Sequence, residues 1–379
     1  MLFRLLMTSL LLTAPAWVKA QGALPFDTET VATFDEPWAL AFLPDGRLLV
    51  TEKKGRLYLV GQDGAKTAVG GTPDVDYGGQ GGLGDVALHP DFADNGLVYL
   101  SYVEAGVDDT RGAAVARGRL DLDGRRPAIS DLEVIWRQYP KFVGYGHYGH
   151  RLLFDDDGHL WITSGERQKF TPSQDMQSNA GKVLRLRDDG TVPEDNPFVN
   201  YFREVDPLVD DIGVYGEFWS IGHRNPLGID TDLEGRLWVI EMGPKGGDEL
   251  NLIQRGGNYG YPVVSNGEHY DGRPMPDHDT RPEFLAPKVW WTPVISPGDL
   301  HVVRGERFAA WRGDALAAGL SSRAIVRIDL DGESAREVER YDMNARIRAI
   351  TEGPEGALWV LEDERGDSRG RLLKLTPKG

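Results

Sequence analysis

The chain has 379 residues, no cysteine and a formal net charge of -17, from 42 basic and 59 acidic side chains. That balance argues against a nucleic-acid or anionic-membrane partner, which would need a basic face, and it favours metal cations and neutral small molecules. With no thiols there is no disulfide frame and no thiolate metal site, and the length is enough to bury a large core in one or two domains.

The first predicted element is a targeting segment. Met1 to Arg4 is a positive start, Leu5 to Trp17 an apolar run, and Val18-Lys19-Ala20 a small-residue end. That order predicts a signal peptide at 1–20, cut after Ala20, and export to the periplasm or beyond. The run is shorter than the roughly 20 apolar residues a spanning helix needs. The expected mature chain, 21–379, would carry 40 basic and 59 acidic residues, a charge of -19. It reads as one domain without stable membrane insertion, monomeric or homodimeric.

From there a turn-and-strand unit recurs: Pro44-Asp45-Gly46-Arg47-Leu48-Leu49-Val50, then Asn95-Gly96-Leu97-Val98, Asp157-Gly158-His159-Leu160-Trp161, Glu234-Gly235-Arg236-Leu237-Trp238 and Glu355-Gly356-Ala357-Leu358-Trp359, with a weaker copy at Gly313-Asp314-Ala315-Leu316. Glycine after an acid or amide tolerates the positive φ of a hairpin turn. The turn glycines 46, 96, 158, 235, 313 and 356 lie 50, 62, 77, 78 and 43 residues apart. Each unit follows an apolar run, such as Trp38 to Phe42, and several precede a third strand, such as Lys182 to Leu186. Six small sheets at such periods predict an all-β, six-bladed β-propeller. The segments Tyr102–Arg117, Gln168–Asn179, Val192–Gly216 and Asn266–Trp290 read as insertions walling one face.

Candidate chemistry follows in chain order. Gln80 stands on the glycine loop Gly78-Gly79-Gln80-Gly81-Gly82-Leu83-Gly84; no Gly-Lys-Ser/Thr follows, so this is not a nucleotide loop. His147, in Gly146-His147-Tyr148-Gly149-His150-Arg151, has the side chain to accept a proton near neutrality; an exposed or structural histidine is the plainer reading. Arg224-Asn225 before Pro226 offers several donors for a carbonyl or carboxylate, or equally a loop cap. Gly243-Pro244 to Glu249, with Tyr259, offers oxygen ligands suited to Ca²⁺, or a solvated acidic turn. Arg346 and Arg348, two apart in a strand, would converge on one face, either surface or an anionic ligand.

Taken together these stretches resemble the soluble, quinone-dependent aldose sugar dehydrogenases of the glucose/sorbosone dehydrogenase family. The likeness runs from about Pro37 to the C-terminus. It rests on Gln80-Gly81-Gly82-Leu83-Gly84 with His89-Pro90-Asp91-Phe92, on His147 to Arg151, on Gly181-Lys182-Val183-Leu184-Arg185 with Pro193 to Phe198, and on His223-Arg224-Asn225-Pro226-Leu227-Gly228 with Glu241 to Glu249 and Gly257-Asn258-Tyr259-Gly260-Tyr261-Pro262. The resemblance implies a six-bladed propeller that oxidises aldoses at C1 to the lactone. Hydride would pass to C5 of pyrroloquinoline quinone (PQQ), with His147 as general base and Arg224 polarising the quinone, and electrons would go on to an external acceptor. It implies PQQ contacts at Gln80, Arg224, Asn225, Tyr270, Arg346 and Arg348. It implies Ca²⁺ on the carbonyls of Gly243 and Pro244, a further Ca²⁺ on Glu249 and Tyr259, and Trp291 beside the sugar. Three departures stand out: Gly146 before the base, His150 where a small residue is common, and Ser321 after Gly319-Leu320 where a lysine is usual, with Arg323 as its nearest substitute. A Ca²⁺-binding propeller without redox chemistry and a Ca²⁺-dependent lactonase-type hydrolase are the alternatives.

Overall fold

The computed structural model describes residues 23–201 and 213–379; the expected signal segment lies outside them, as does part of the Val192–Gly216 stretch. Six antiparallel sheets are strung along the chain. The first blade is Pro37–Phe42, Leu48–Glu52, Arg56–Val60 and Lys66–Val69. The third is Gly149–Phe154, Leu160–Ser164, Lys182–Leu186 and Phe218–Ile221; the fourth is Pro226–Thr231, Leu237–Glu241, Asp248–Leu252 and Val289–Trp291. The fifth is Pro297–Val302, Ala315–Gly319, Ala324–Asp331 and Ser334–Asp342. The innermost strands touch one another in sequence and the last, Ile347–Glu352, returns to the first, which closes the ring. This is the predicted six-bladed propeller, and all six predicted turn glycines lie between an innermost strand and its neighbour.

The recurring turn has a physical cause. Asp155 accepts the backbone N–H of Asp157 and His159 and, through its other oxygen, the indole N–H of Trp161 at 2.8 Å. Asp232 does the same for Glu234, Arg236 and Trp238, at 2.9, 3.0 and 2.9 Å. One carboxylate thus closes the hairpin and fixes the tryptophan that packs between blades.

The core is divided among the seams. Leu48–Glu52, Leu160–Ser164, Leu237–Glu241, Ala315–Gly319 and Leu358–Glu362 are buried throughout, because a neighbouring blade covers each face. Six apolar clusters result, one for each pair of adjacent blades.

Two features differ from the sequence reading. Tyr102–Arg117 is not an insertion: it lies in the long hairpin Leu97–Ala105 and Thr110–Asp121 of the second blade, begun by Leu83–Leu88 and edged by Ala128–Arg137 and Phe142–Val143. The sixth blade is completed from the other end of the chain. Beyond Ile347–Glu352, Leu358–Glu362 and Arg371–Pro377 its outer strand is Phe26–Thr33, in antiparallel register from Phe26 opposite Pro377 to Thr33 opposite Arg371. Phe26 is 2% exposed and meets Trp311 and Tyr341 edge-on, at 6.1 and 5.7 Å between ring centres. Phe26→Ala should therefore destabilise the whole domain by roughly 3–5 kcal/mol. Urea unfolding checks this; a change within experimental error would mean the terminal strand lies outside the cooperative unit.

Candidate active site

All six innermost strands carry a register shift near their first residues: Pro37/Leu40, Leu83/Val86, Gly149/Leu152, Pro226/Gly228, Pro297/Asp299 and Ile347/Ala349. Such bulges re-aim the neighbouring side chains. Trp38, Gln80, His147, Arg224, Asn225, Arg346 and Arg348 all lie at or just before these points, so one end of the propeller axis collects the predicted site.

His147 is 5% exposed and has a positive φ of 52°. Its N–H donates to Gln80 Oε1 at 2.7 Å, and its Nδ1 lies 2.5 Å from Glu166 Oε1. The other Glu166 oxygen accepts the backbone N–H of Lys169 and, at 2.8 Å, of Phe170. Burial opposes ionisation of Glu166, but the His147 hydrogen bond and charge hold it below the usual carboxylate range. An ionised carboxylate only accepts, so Nδ1 carries the proton and Nε2 keeps its lone pair. Burial pulls the His147 imidazole below its ordinary 6.5 against the lifting effect of Glu166. The result is a neutral, oriented base.

Glu166 was not foreseen. It follows the buried strand Leu160–Ser164, and the pairing of that strand with Gly149–Phe154 in the same blade brings it to His147. Glu166→Gln should cost roughly 10- to 100-fold in turnover, since the amide cannot accept from Nδ1 and from both backbone donors. Because Glu166 raises the imidazole's pKa, the acid limb of the rate profile should move to lower pH. An unmoved limb would separate Glu166 from the base.

Arg224 is set by the fourth blade. Its N–H donates to Glu241 Oε2 at 2.6 Å, while Glu241 Oε1 lies 2.8 Å from His223 Nδ1. Its Nη1 donates to the carbonyls of Met242 and Gly243, at 3.0 and 2.5 Å. Its carbonyl accepts the Glu166 N–H at 2.9 Å, which ties base and guanidinium together. Tyr270, 75% exposed, lies over the guanidinium at 5.9 Å. Asn225 is fully buried, and among the described residues its Oδ1 has no partner; nor have Nε of Arg224 and Nε of Arg348.

The Gly243 loop is closed by Asp248, whose oxygens accept the N–H of Gly243 at 2.9 Å and of Ser296 at 2.6 Å. Burial pushes the Asp248 carboxyl up to about 7. A Cβ on Gly243 would lie 2.1 Å from the Gly247 carbonyl oxygen, so only glycine fits this turn. Among the described residues no three His, Cys, Asp or Glu side chains gather as a metal cage. A hard cation here would rest on the carbonyls of Gly243 and Pro244 and on oxygens of a bound ligand. Glu249 is buried beside Glu241, and Asn251 Nδ2 reaches both, at 3.3 and 3.1 Å. Burial and the Glu241 charge push the Glu249 carboxyl well up, a strain that a cation would relieve. The Tyr259 hydroxyl is committed to Leu252 O and Gln254 N, which leaves its carbonyl, 3.2 Å from His278 Nε2, as the ligand atom.

A cavity of about 740 Å³ occupies the axis beside this cluster. Gln80, Gly146 and Met242 line its near side, and Trp38, Lys53, His150, Arg346, Arg348 and Asp363 the rest. Gly146 and Tyr148, which flank His147, and Met242, whose carbonyl Arg224 bonds, belong to its lining. Arg346 Nε and Arg348 Nη2 share one carboxylate oxygen of Asp363, at 3.0 and 3.4 Å. Burial opposes ionisation of Asp363, but the two arginines hold it below the usual range. Two cations against one anion leave a positive wall with room for a ligand carboxylate.

Two expectations fail. Trp291 does not face a sugar: it is 5% exposed, its indole donates to Glu337 Oε2 at 2.7 Å, and it packs between the fourth and fifth blades. Strand alternation turns Trp290 outward instead, 55% exposed. Arg323 does not replace the family lysine. It sits in a positive-φ turn, donates to the Asn344 carbonyl and points toward Asp367. Ser321 bonds back to the Val294 carbonyl. The lysine that does line the cavity is Lys53 of the first blade, whose Nζ donates to the Gly79 carbonyl at 2.9 Å and so steadies the Gln80 loop.

Residues 34–374 match the glucose/sorbosone dehydrogenase family. The aldose sugar dehydrogenase YliI of Escherichia coli is 37% identical over 353 residues, 91% of each chain. The crystal structure of the E. coli soluble aldose sugar dehydrogenase in its apo form superposes with a TM-score of 0.84 at 36% identity, covering 93% of this chain and all of the other. The PQQ-bound aldose sugar dehydrogenase of Streptomyces coelicolor does so with a TM-score of 0.75 at 29% identity, over 95% and 100%. This chain belongs to the glucose/sorbosone dehydrogenase family.

Proposed function

We propose that the chain oxidises aldoses at C1 to the lactone with PQQ and Ca²⁺ and passes the electrons to an external acceptor. The observation that carries this reading is a neutral, Glu166-oriented His147 tied to Arg224, with the chain neighbours of His147 lining the cavity into which Arg346 and Arg348 also face. A relative with PQQ bound shares the fold and 29% of the sequence. Gln80, Arg224, Asn225, Tyr270, Arg346 and Arg348 would hold the cofactor. The Gly243 and Pro244 carbonyls would hold Ca²⁺ beside it, and Glu249 with the Tyr259 carbonyl a second ion. The unpartnered Asn225 Oδ1, Arg224 Nε and Arg348 Nε fit a polar occupant. Bound PQQ supplies the hydride acceptor and stores two electrons.

The protein's part is proton and charge management. His147 Nε2 takes the proton of the C1 hydroxyl as C1 gives up its hydride, and Glu166 stabilises the imidazolium that forms. Arg224, buried and pinned through Glu241, needs no reorganisation to meet developing negative charge. Gln80 fixes the backbone of the base through its Oε1. Export is the reading of the N-terminal run; among the described residues no helix is long and apolar enough to cross a membrane.

The test is a titration of the metal-free protein with PQQ and Ca²⁺, followed by dye reduction with a panel of aldoses. Saturable activity that is lost on chelation and restored by Ca²⁺ is expected. PQQ binding without turnover would favour a non-redox sugar-binding propeller.

A further inference from the structure

His150 stands where the family commonly has a small residue, and the structure gives it a worked-out setting. Its ring stacks on Trp38 at 4.9 Å with a 22° tilt. It has a positive φ of 60°, and Gly84 makes room for it: a Cβ there would lie 1.9 Å from Cε1. Ser101 Oγ accepts the Asp85 N–H at 2.7 Å, and among the described residues the only acceptor within reach of its own proton is His150 Nδ1, also 2.7 Å away. That makes Nδ1 the acceptor and puts the ring proton on Nε2. Nε2 meets no protein acceptor among the described residues. His150 is 2% exposed and lines the axial cavity.

The charges around the ring are Arg151, Arg167 and Arg348, with no carboxylate paired to it. Burial and these three guanidiniums drive its pKa down to about 3. His150 therefore presents an uncharged N–H at any physiological pH.

We propose that His150 is a ligand-contacting residue of this pocket, donating through Nε2–H to a carboxylate or carbonyl oxygen of the bound quinone, beside Arg346 and Arg348. The inference rests on the PQQ reading above. A neutral donor adds direction to the cationic wall without adding repulsion. It would also favour ligands that are planar and oxygen-rich at that edge.

The test is PQQ titration in excess Ca²⁺, read by quenching of protein fluorescence, for the wild type, His150→Phe and His150→Asn, each checked by apo thermal unfolding. Phe keeps the stacked ring and removes the donor; Asn keeps a donor. The expected result is PQQ affinity about 10-fold or more weaker for Phe and within about 3-fold for Asn. Long-range ¹H–¹⁵N spectra of the wild type should show the neutral, Nε2-protonated tautomer between about pH 5 and 8, and the Nε2 resonance should move when PQQ is added. Wild-type affinity in the Phe variant, or an Nε2 resonance indifferent to PQQ, overturns the role of His150 and leaves the enzyme reading standing. Absence of PQQ binding by the wild type overturns both.

Discussion

His147→Ala should lower turnover by about 10³- to 10⁴-fold while changing PQQ affinity by less than about 3-fold. The argument is positional. The imidazole's hydrogen bond within the protein is Nδ1 to Glu166, while the bond to Gln80 is made by the backbone N–H, which alanine keeps; removing the ring takes away the proton acceptor and leaves the cationic wall intact. The pH dependence carries a sign. The folded pKa is depressed below 6.5, so the base is free at neutrality and activity should fall only as pH drops below that value. Steady-state kinetics across pH, with cofactor binding measured separately, decide the matter. Turnover within about 10-fold of wild type in the alanine variant would remove His147 from the proton path.

Arg348→Ala should weaken PQQ binding by roughly 100-fold, the loss of one or two charge-assisted hydrogen bonds in a desolvated site. It should scarcely alter the unfolding of the apo-protein. Arg348 is half-buried, with 13% of its side chain exposed; desolvation lowers its pKa, and of the nearby charges Asp363 supports it while Arg151 and Arg346 oppose it. Removing it leaves Asp363 paired with Arg346 at 3.0 Å. A residue kept for stability would not be placed among like charges; one kept for an anionic ligand would. Arg348→Lys should fall between, since an ammonium keeps the charge and loses the planar fork. Equal losses of apo stability and of affinity would mean that Arg348 is a structural ion pair.

The propeller itself was legible because its punctuation is chemical: an acid or amide stands beside a glycine in every turn, and at Trp161 and Trp238 one carboxylate also holds the indole. The site was legible where glycine-flanked polar residues precede an innermost strand, as at Gln80, His147 and Arg224. It was not legible where three-dimensional closure does the work. Glu166 reaches His147 only because two adjacent strands of one blade begin and end at the same rim. Trp290 and Trp291 are neighbours in sequence, and nothing local says which of them the pleat turns inward. Arg323 looked like a spare cation until its turn showed it facing Asp367. Phe26–Thr33 escaped notice because, as an outer strand, it buries little besides Phe26 and lacks the alternation that marks a half-buried strand.

That outer strand has a consequence for biosynthesis. Phe26–Thr33 is among the earliest segments to leave the ribosome, and its partner Arg371–Pro377 is among the last. Five blades can assemble in order as the chain emerges, but the clasp cannot shut until Arg371–Pro377 has been made. Until then the sixth blade stays incomplete, so its assembly is the step that joins the two ends of the described chain.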